Sequence, residues 1–177
     1  MIEPASYSAI DTLRDGRMVE IRALRAQDRQ ALLAAFDRSS PLSVFRRFLG
    51  ARRRFTEQEM SYFVNVDFVG HVALVALADE DGVPVVIGGG RYIVMPQAAT
   101  AELAFAVIDQ YQRQGIGTAL MRHLVFLARN AGLEKLVADV LSSNAPMLRI
   151  FESSGLPVST TRESEIVHVV MSLSPNK

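Results

Sequence analysis

The sequence has 177 residues, a length that fits one domain able to bury about two thirds of its unfolded surface. Its 19 lysine and arginine residues balance its 19 aspartate and glutamate residues, so no net charge attracts it to nucleic acid or to a membrane surface. It contains no cysteine, which excludes a disulfide framework, a thiolate metal site and a cysteine nucleophile.

The first part of the chain predicts a strand followed by two helices. Residues 1–16 show no regular pattern, and we expect them to be loose. Residues 18–22 alternate between apolar and polar side chains, which is typical of a strand. Residues 27–38 have helical spacing and end at a Ser-Ser-Pro sequence. The order Thr56 to Glu59 is typical of a capping box and predicts the start of a second helix.

A hairpin of two apolar strands comes next. Residues 71–78 and 84–95 are joined at Glu80-Asp81-Gly82, which is typical of a tight turn. The triplet Gly88-Gly89-Gly90 lies inside the second strand, where glycines mark a bulge or a close backbone contact. Because strand residues follow this triplet rather than a helix, we do not interpret it as a phosphate-binding loop.

The remaining elements predict a mixed sheet. They are a strand over residues 101–108, a helix from Ile116 to Ala131, a strand over 135–141, a helix over 144–154 and a strand over 166–173. A right-handed helical crossover between the first two of these strands predicts one parallel pair in a mostly antiparallel sheet. The predicted fold class is therefore α/β, as a single domain with helices flanking the sheet.

The most informative motif is Gln112-Arg113-Gln114-Gly115-Ile116-Gly117, between a strand and a helix. A glycine-rich turn that opens into a helix gathers free backbone N–H groups at the positive end of the helix dipole, which favours phosphate binding. A P-loop would need a lysine where Thr118 stands. A dinucleotide fingerprint would need a third glycine where Leu120 stands. Neither alternative fits.

The glycine-rich run, preceded by a strand that carries Ala101-Glu102, resembles the pyrophosphate loop of the GNAT superfamily of N-acetyltransferases. The resemblance covers residues 17–173 as one domain and implies two parallel strands that separate to admit the pantetheine arm of acetyl-CoA. It implies acetyl-CoA as co-substrate, held by Ala106, Val107, Ile108, Gln112, Arg113, Gln114, Gly115, Ile116, Gly117, Thr118 and Asn144. Asn144 is equally well explained as the N-cap of the helix that follows it.

Glu102 is the single carboxylate of its strand and the candidate catalytic residue. Amide formation needs a neutral amine, yet a lysine side chain with a pKa of ~10.4 is only about 0.1% neutral near pH 7.5. A carboxylate at the acceptor site can take the proton during attack. The sequence Ala-Glu-Leu-Ala-Phe resembles a strand of histone and bacterial protein lysine acetyltransferases, which implies that Glu102 is the general base. The alternative is a solvated glutamate paired with an arginine.

Residues 40–48 and 66–76 resemble the acetyltransferase domain of bacterial enzymes that acetylate a lysine of acyl-CoA synthetases. The acceptor implied is a protein lysine, while a small amine or acyl-CoA sensing without transfer stays open. The arginine-rich residues 46–55 either cover the acceptor groove or form a solvated face. We expect a monomer or homodimer.

One residue departs from the family pattern. Phe151 stands where many members carry a tyrosine that protonates the leaving thiolate. Phenylalanine donates no proton, so the sequence indicates no general acid. A CoA thiolate leaves readily enough for the reaction to proceed without one.

Metal, membrane and targeting signals are missing from the sequence. His71, His123 and His168 do not have the spacing of a metal site, and we expect no bound metal. No apolar run approaches the roughly 20 residues of a membrane helix. Residues 1–8 have no basic region followed by an apolar stretch, so we expect no signal peptide and a cytoplasmic location.

Overall fold

The computed structural model describes residues 2–52 and 54–174, which form one eight-stranded sheet and five α-helices. The strands are β1 (Ser8–Thr12), β2 (Met18–Ala23), β3 (His71–Glu80), β4 (Val83–Val94), β5 (Thr100–Val107), β6 (Lys135–Leu141), β7 (Val158–Glu163) and β8 (Ile166–Ser172). The helices are α1 (Arg29–Asp37), α2 (Pro41–Phe48), α3 (Glu57–Val64), α4 (Ile116–Asn130) and α5 (Ala145–Glu152).

The sheet has the strand order β1-β2-β3-β4-β5-β6-β8-β7, and all neighbours are antiparallel except β5 and β6. The parallel pairing joins residues 100–102 to residues 135–137 and then stops. Beyond it β5 continues to Val107 and β6 to Leu141, so the two strands separate. The predicted fold class, with its parallel pair and separating strands, is confirmed.

The glycine triplet of β4 allows close contact between the sheet and α4. A Cβ atom at Gly90 would lie 2.7 Å from Leu124 Cδ1 and 2.8 Å from Phe105 Cβ. A Cβ atom at Gly88 would lie 2.9 Å from the carbonyl oxygen of Ala106. The register between β3 and β4 also shifts beside the triplet, between Ala76 and Leu77. Both a bulge and a close backbone contact are therefore present, as predicted.

The first sixteen residues are not loose throughout, contrary to expectation. Residues 8–12 form β1 and pair with β2 along the edge of the sheet. Their attachment depends on α4, because His123 Nδ1 lies 2.5 Å from Tyr7 Oη and His123 Nε2 lies 2.9 Å from Asp11 Oδ2. These contacts span more than 100 residues of sequence, and no local pattern reveals them.

A helix also occurs where the sequence predicted none. The Ser-Ser-Pro sequence ends α1, as expected, but it also begins α2. The Ser40 hydroxyl accepts a hydrogen bond from the Ser43 amide at 3.2 Å, and Pro41 occupies the first helical position. Serine at the N-cap and proline at N1 are the preferred start of a helix. The first part of the arginine-rich segment is therefore helical and lies over the sheet.

A buried ion pair fixes the start of α1. Arg22 Nη1 and Nη2 each donate to a carboxylate oxygen of Asp28 at 2.8 Å, and the Arg25 amide donates to Asp28 Oδ2 at 2.8 Å. Burial acts to raise the pKa of Asp28, but the hydrogen bonds from Arg22 and Arg25 outweigh it and hold that pKa below its usual value. The pair therefore stays ionised and joins β2 to α1.

Candidate functional site

A cleft of about 410 Å³ opens where β5 and β6 separate, and the N-terminus of α4 forms one side of it. The N-cap residue of α4, Gly115, has a φ of +92° and offers no side-chain cap. In the described part of the chain, the backbone N–H groups of residues 113–118 donate to no protein acceptor. Free amides at the positive end of a 15-residue helix favour an anion at this position.

The charge of the cleft is positive. Within residues 2–52 and 54–174, no carboxylate lines it. Five arginines do: Arg14, Arg46, Arg47, Arg113 and Arg149. Arg46 Nε is buried without a hydrogen-bond partner in those residues, although Arg46 Nη2 donates to the Ser143 carbonyl at 3.4 Å. A buried donor without an acceptor is costly, so this nitrogen fits a site whose ligand supplies acceptor oxygens.

Most of the residues predicted to bind the cofactor meet at this cleft. Eight of the eleven line it: Ala106, Val107, Gln112, Arg113, Gly115, Gly117, Thr118 and Asn144. The other three do not. Ile108 is buried and its amide donates to the Ile87 carbonyl at 2.9 Å. The Gln114 side chain contacts Arg17 and the Gln110 carbonyl, and the Ile116 side chain lies in the core.

Gln112 and Gly117 have packing roles that the motif alone does not reveal. Gln112 Nε2 donates to Ser43 Oγ and to the Val107 carbonyl, each at 3.0 Å, and so joins the loop to α2 and β5. A Cβ atom at Gly117 would lie 2.8 Å from Ile150 Cδ1 of α5. The glycine therefore lets α5 approach α4, and this contact explains it without any ligand.

On the other wall of the cleft, Asn144 is the N-cap of α5, as one of its two interpretations predicted. Its side-chain oxygen accepts from the Met147 amide at 3.4 Å, while the residue also lines the cleft. Phe151 is buried in edge-to-face contact with Phe105, with ring centroids 5.8 Å apart, and does not line the cleft. This position therefore supplies no proton donor to the site.

A second, smaller cavity of about 140 Å³ lies between the sheet and helices α1, α2 and α3. Four residues line both spaces and mark where they join: Ser43, Arg47, Ala106 and Val107. Phenylalanines supply much of its apolar wall, and Arg47 and Arg91 are its charged residues within the described chain. No sequence signal marks Arg91 as a site residue, because β4 has the pattern of an ordinary strand.

Glu102 lies at the point where β5 leaves β6. It is the last residue of β5 paired with β6, opposite Val137, and its side chain is exposed. Glu102 itself lines neither space, but because strand residues alternate between faces it shares its face with Ala106, which borders both. Burial lowers the pKa of Arg47 to about 10, while the charge of Glu102 acts to raise it. Among the described residues no arginine forms an ion pair with Glu102.

Comparison with known proteins identifies the family. The model of the acetyltransferase (GNAT) family matches residues 34–156. The chain belongs to this family. It is 33% identical to an acetyltransferase of Pseudomonas aeruginosa over 138 residues, which make up 78% of this chain and 74% of that protein.

Two further relatives are acetyltransferases of the Pat type. The chain is 31% identical to the acetyltransferase Pat of Mycolicibacterium smegmatis over 144 residues, 81% of this chain but only 42% of Pat. The crystal structure of the GNAT domain of S. lividans PAT superposes with a TM-score of 0.84 at 28% identity, covering 93% of this chain and 96% of that domain.

The chain is therefore an acetyltransferase that uses acetyl-CoA, which confirms the predicted enzyme class and co-substrate. The sensing-only alternative is set aside. Among the described residues, no helix has both the length and the hydrophobicity to span a bilayer. The same residues contain no group of three or more histidine, aspartate or glutamate side chains arranged for a metal ion.

Proposed function

We propose that this chain transfers the acetyl group of acetyl-CoA to the side-chain amine of a protein lysine, with Glu102 as general base. The position of Glu102 carries the proposal, because this carboxylate shares a face of β5 with Ala106 and its charge acts on Arg47, and both of those residues border the cleft and the smaller cavity. During attack the amine nitrogen bonds to the acetyl carbon, the carbon–sulfur bond breaks, and the amine proton passes to the Glu102 carboxylate.

The cleft has the groups that acetyl-CoA would need. The free amides of residues 113–118 and the arginines of the cleft would hold the diphosphate. The separated edge of β5 at Ala106 and Val107 would lie along the pantetheine, with Asn144 opposite. When bound, acetyl-CoA supplies a reactive thioester carbonyl and a thiolate leaving group.

A protein lysine is proposed because the chain resembles Pat-type enzymes in sequence and in fold. The chain spans less than half of the mycobacterial Pat, so that protein's substrates are not transferred to this chain as findings. An acyl-CoA synthetase as the acceptor and a cytoplasmic location stay predictions. A small amine is the second candidate, because the cavity that joins the cleft is small, about 140 Å³, and carries two arginines.

Replacing Glu102 by glutamine tests the proposed base. Glu102→Gln should bind acetyl-CoA as tightly as the wild type, because the carboxylate lies on the acceptor side, and should acetylate about 10²–10⁴ times more slowly. The acidic limb of the pH–rate profile should also be lost, unless deprotonation of the amine sets that limb. Acetyl-lysine formation in a bacterial protein extract, read by mass spectrometry, measures the transfer.

The exposed Glu165, between β7 and β8, provides the matched control. Glu165→Gln should leave both the rate and the acetylated sites unchanged. If Glu102→Gln is as fast as this control across the pH range, Glu102 is a structural residue and the proposed mechanism is wrong.

A further inference from the structure

The cavity between the sheet and helices α1, α2 and α3 contains two arginines that form no ion pair within the described residues. Arg47 comes from α2 and Arg91 from β4, and both line the cavity. Within residues 2–52 and 54–174, neither guanidinium has a carboxylate oxygen within 4.0 Å. Buried charges in proteins are normally paired, because removing a charge from water is costly. Both side chains are half-buried, and the charge of Glu102 acts on Arg47 without outweighing the effect of burial, so the protein itself offsets only part of this cost.

Their surroundings increase that cost. Burial, together with the smaller effect of the positive charge of Arg47, lowers the pKa of Arg91 to about 9. Both guanidiniums still carry their charge near neutral pH, so the cavity holds two like charges against apolar walls. An anion between them would remove the repulsion and replace the lost hydration.

The Arg91 guanidinium is held by polar contacts, and both guanidiniums lie against aromatic rings. Arg91 Nη1 donates to the Phe63 carbonyl at 3.3 Å and lies 2.9 Å from His71 Nε2. Burial lowers the pKa of His71 to about 4, so its neutral ring can accept this hydrogen bond. The Arg91 guanidinium lies 4.6 Å from the ring centroid of Phe63, and that of Arg47 lies 4.7 Å from the ring centroid of Phe48. Planar guanidiniums in fixed positions suit a carboxylate, which they bind through two parallel hydrogen bonds.

The register of the sheet places Arg91 near Glu102. Arg91 lies directly opposite Ala104 across β4 and β5, and Glu102 is two residues before Ala104 on the same face. Such diagonal neighbours have Cα atoms about 7–8 Å apart. A small molecule can therefore place a carboxylate against Arg91 and an amine beside Glu102 at the same time.

We propose that Arg47 and Arg91 bind a carboxylate of the acceptor, so that the enzyme prefers amines that carry a carboxylate a few bonds away. The proposal rests on the proposed function, because it takes the acetylated amine to lie beside Glu102. The carboxylate belongs either to a free amino acid or to an acidic side chain next to an acceptor lysine, and the experiment separates these sources.

The kinetic test compares acceptors that differ only in the carboxylate. L-lysine is compared with lysinamide, and a lysine peptide with a neighbouring glutamate is compared with its glutamine counterpart. Arg91→Met should raise the KM of the preferred acid roughly 10- to 100-fold while leaving its neutral partner unchanged. Arg91→Lys keeps the charge but loses the two-point contact, so its KM for the acid should lie between those of the wild type and Arg91→Met. The exposed Arg162 of β7 serves as control, and Arg162→Met should change neither KM.

The source of the carboxylate is identified by the pair of acceptors whose difference in KM is lost in Arg91→Met. A response confined to lysine indicates a free amino acid, and one confined to the peptide indicates an acidic neighbour. Equal use of acids and amides by the wild type overturns the proposal. So does a preference for succinyl-CoA over acetyl-CoA that Arg91→Met abolishes, because the carboxylate would then belong to the donor.

A binding measurement separates this proposal from the proposed function. Calorimetric titration of the wild type with 4-aminobutanoate and with its amide needs no acetyl transfer. Tighter binding of the acid, lost in Arg91→Met but not in Arg162→Met, supports the carboxylate site even if no lysine is acetylated. Equal binding of acid and amide overturns the site even if lysine acetylation is fast. Thermal unfolding of each variant shows whether it is folded.

Discussion

Replacing Thr118 by aspartate places a negative charge at the proposed diphosphate site without disturbing the fold. Thr118 is the third residue of α4, is exposed and lines the cleft. An acidic residue in the first turn of a helix is stabilising by about 0.3–1 kcal/mol. Gly117 is a poorer position for this test, because a side chain there would press on Ile150 as well as on the ligand.

The expected loss of affinity follows from the charge placed beside the phosphate. Two unit charges ~5–6 Å apart repel by about 3 kcal/mol at an effective dielectric constant of 20. Since every 1.4 kcal/mol is tenfold, the Kd for acetyl-CoA should rise about 100-fold. Calorimetric titration measures this Kd, and the difference from the wild type should shrink as salt is added.

Two controls decide whether the charge is responsible. Thr118→Asn has nearly the shape of the aspartate variant but no charge, and it should bind acetyl-CoA almost as the wild type does. S-acetylpantetheine lacks the diphosphate, and its Kd should be the same for the aspartate and asparagine variants. If these two variants bind acetyl-CoA equally well, the diphosphate does not lie at the start of α4.

Two further predictions concern stability. Asp28→Asn leaves Arg22 buried without its ionised partner and should lower the free energy of unfolding by about 3–5 kcal/mol in urea titrations; a loss near zero would show that the pair does not hold α1. The pKa of His71 is lowered to about 4 in the folded chain, so below its usual 6.5 the unfolded state binds the proton more tightly. Stability should therefore be complete above pH 6.5 and fall by up to about 3 kcal/mol as the pH drops to 4, and His71→Gln should remove this part of the pH dependence; an identical dependence in that variant would contradict the assignment.

The parts of the site that the sequence predicted are those whose residues are close together in the chain. The loop at residues 112–118 follows its strand directly, and Glu102 is the single carboxylate of that strand. Arg14, Arg46 and Arg149 reach the same cleft from far along the chain, and no spacing connects them. The sequence predicts local structure well, whereas the charge of a cleft depends on distant residues that the fold brings together.

The same distinction explains the errors in the predicted elements. The Ser-Ser-Pro sequence predicts the end of α1 but does not reveal the start of α2, because a serine and a proline can serve both purposes. The strand β1 has an exposed outer side and depends on contacts from α4, so its own sequence carries a weak signal. The strands β3 to β6 are predictable because each is rich in apolar residues, which are buried without interruption along most of β3 and at alternate positions along much of β5 and β6.

The packing of α5 determines which proton transfers the chain itself can perform. Gly117 and Ile150 set how closely α5 approaches α4, and Phe151 is buried against Phe105, which itself lines the cleft. Phenylalanine has no proton to donate, so position 151 supplies no acid to the leaving sulfur. Among the α5 residues that line the cleft, Met147 and Ile150 are apolar. The helix thus helps to shape the cofactor site, while Glu102 on β5 is left to accept the amine proton and the thiolate leaves without an acid from position 151.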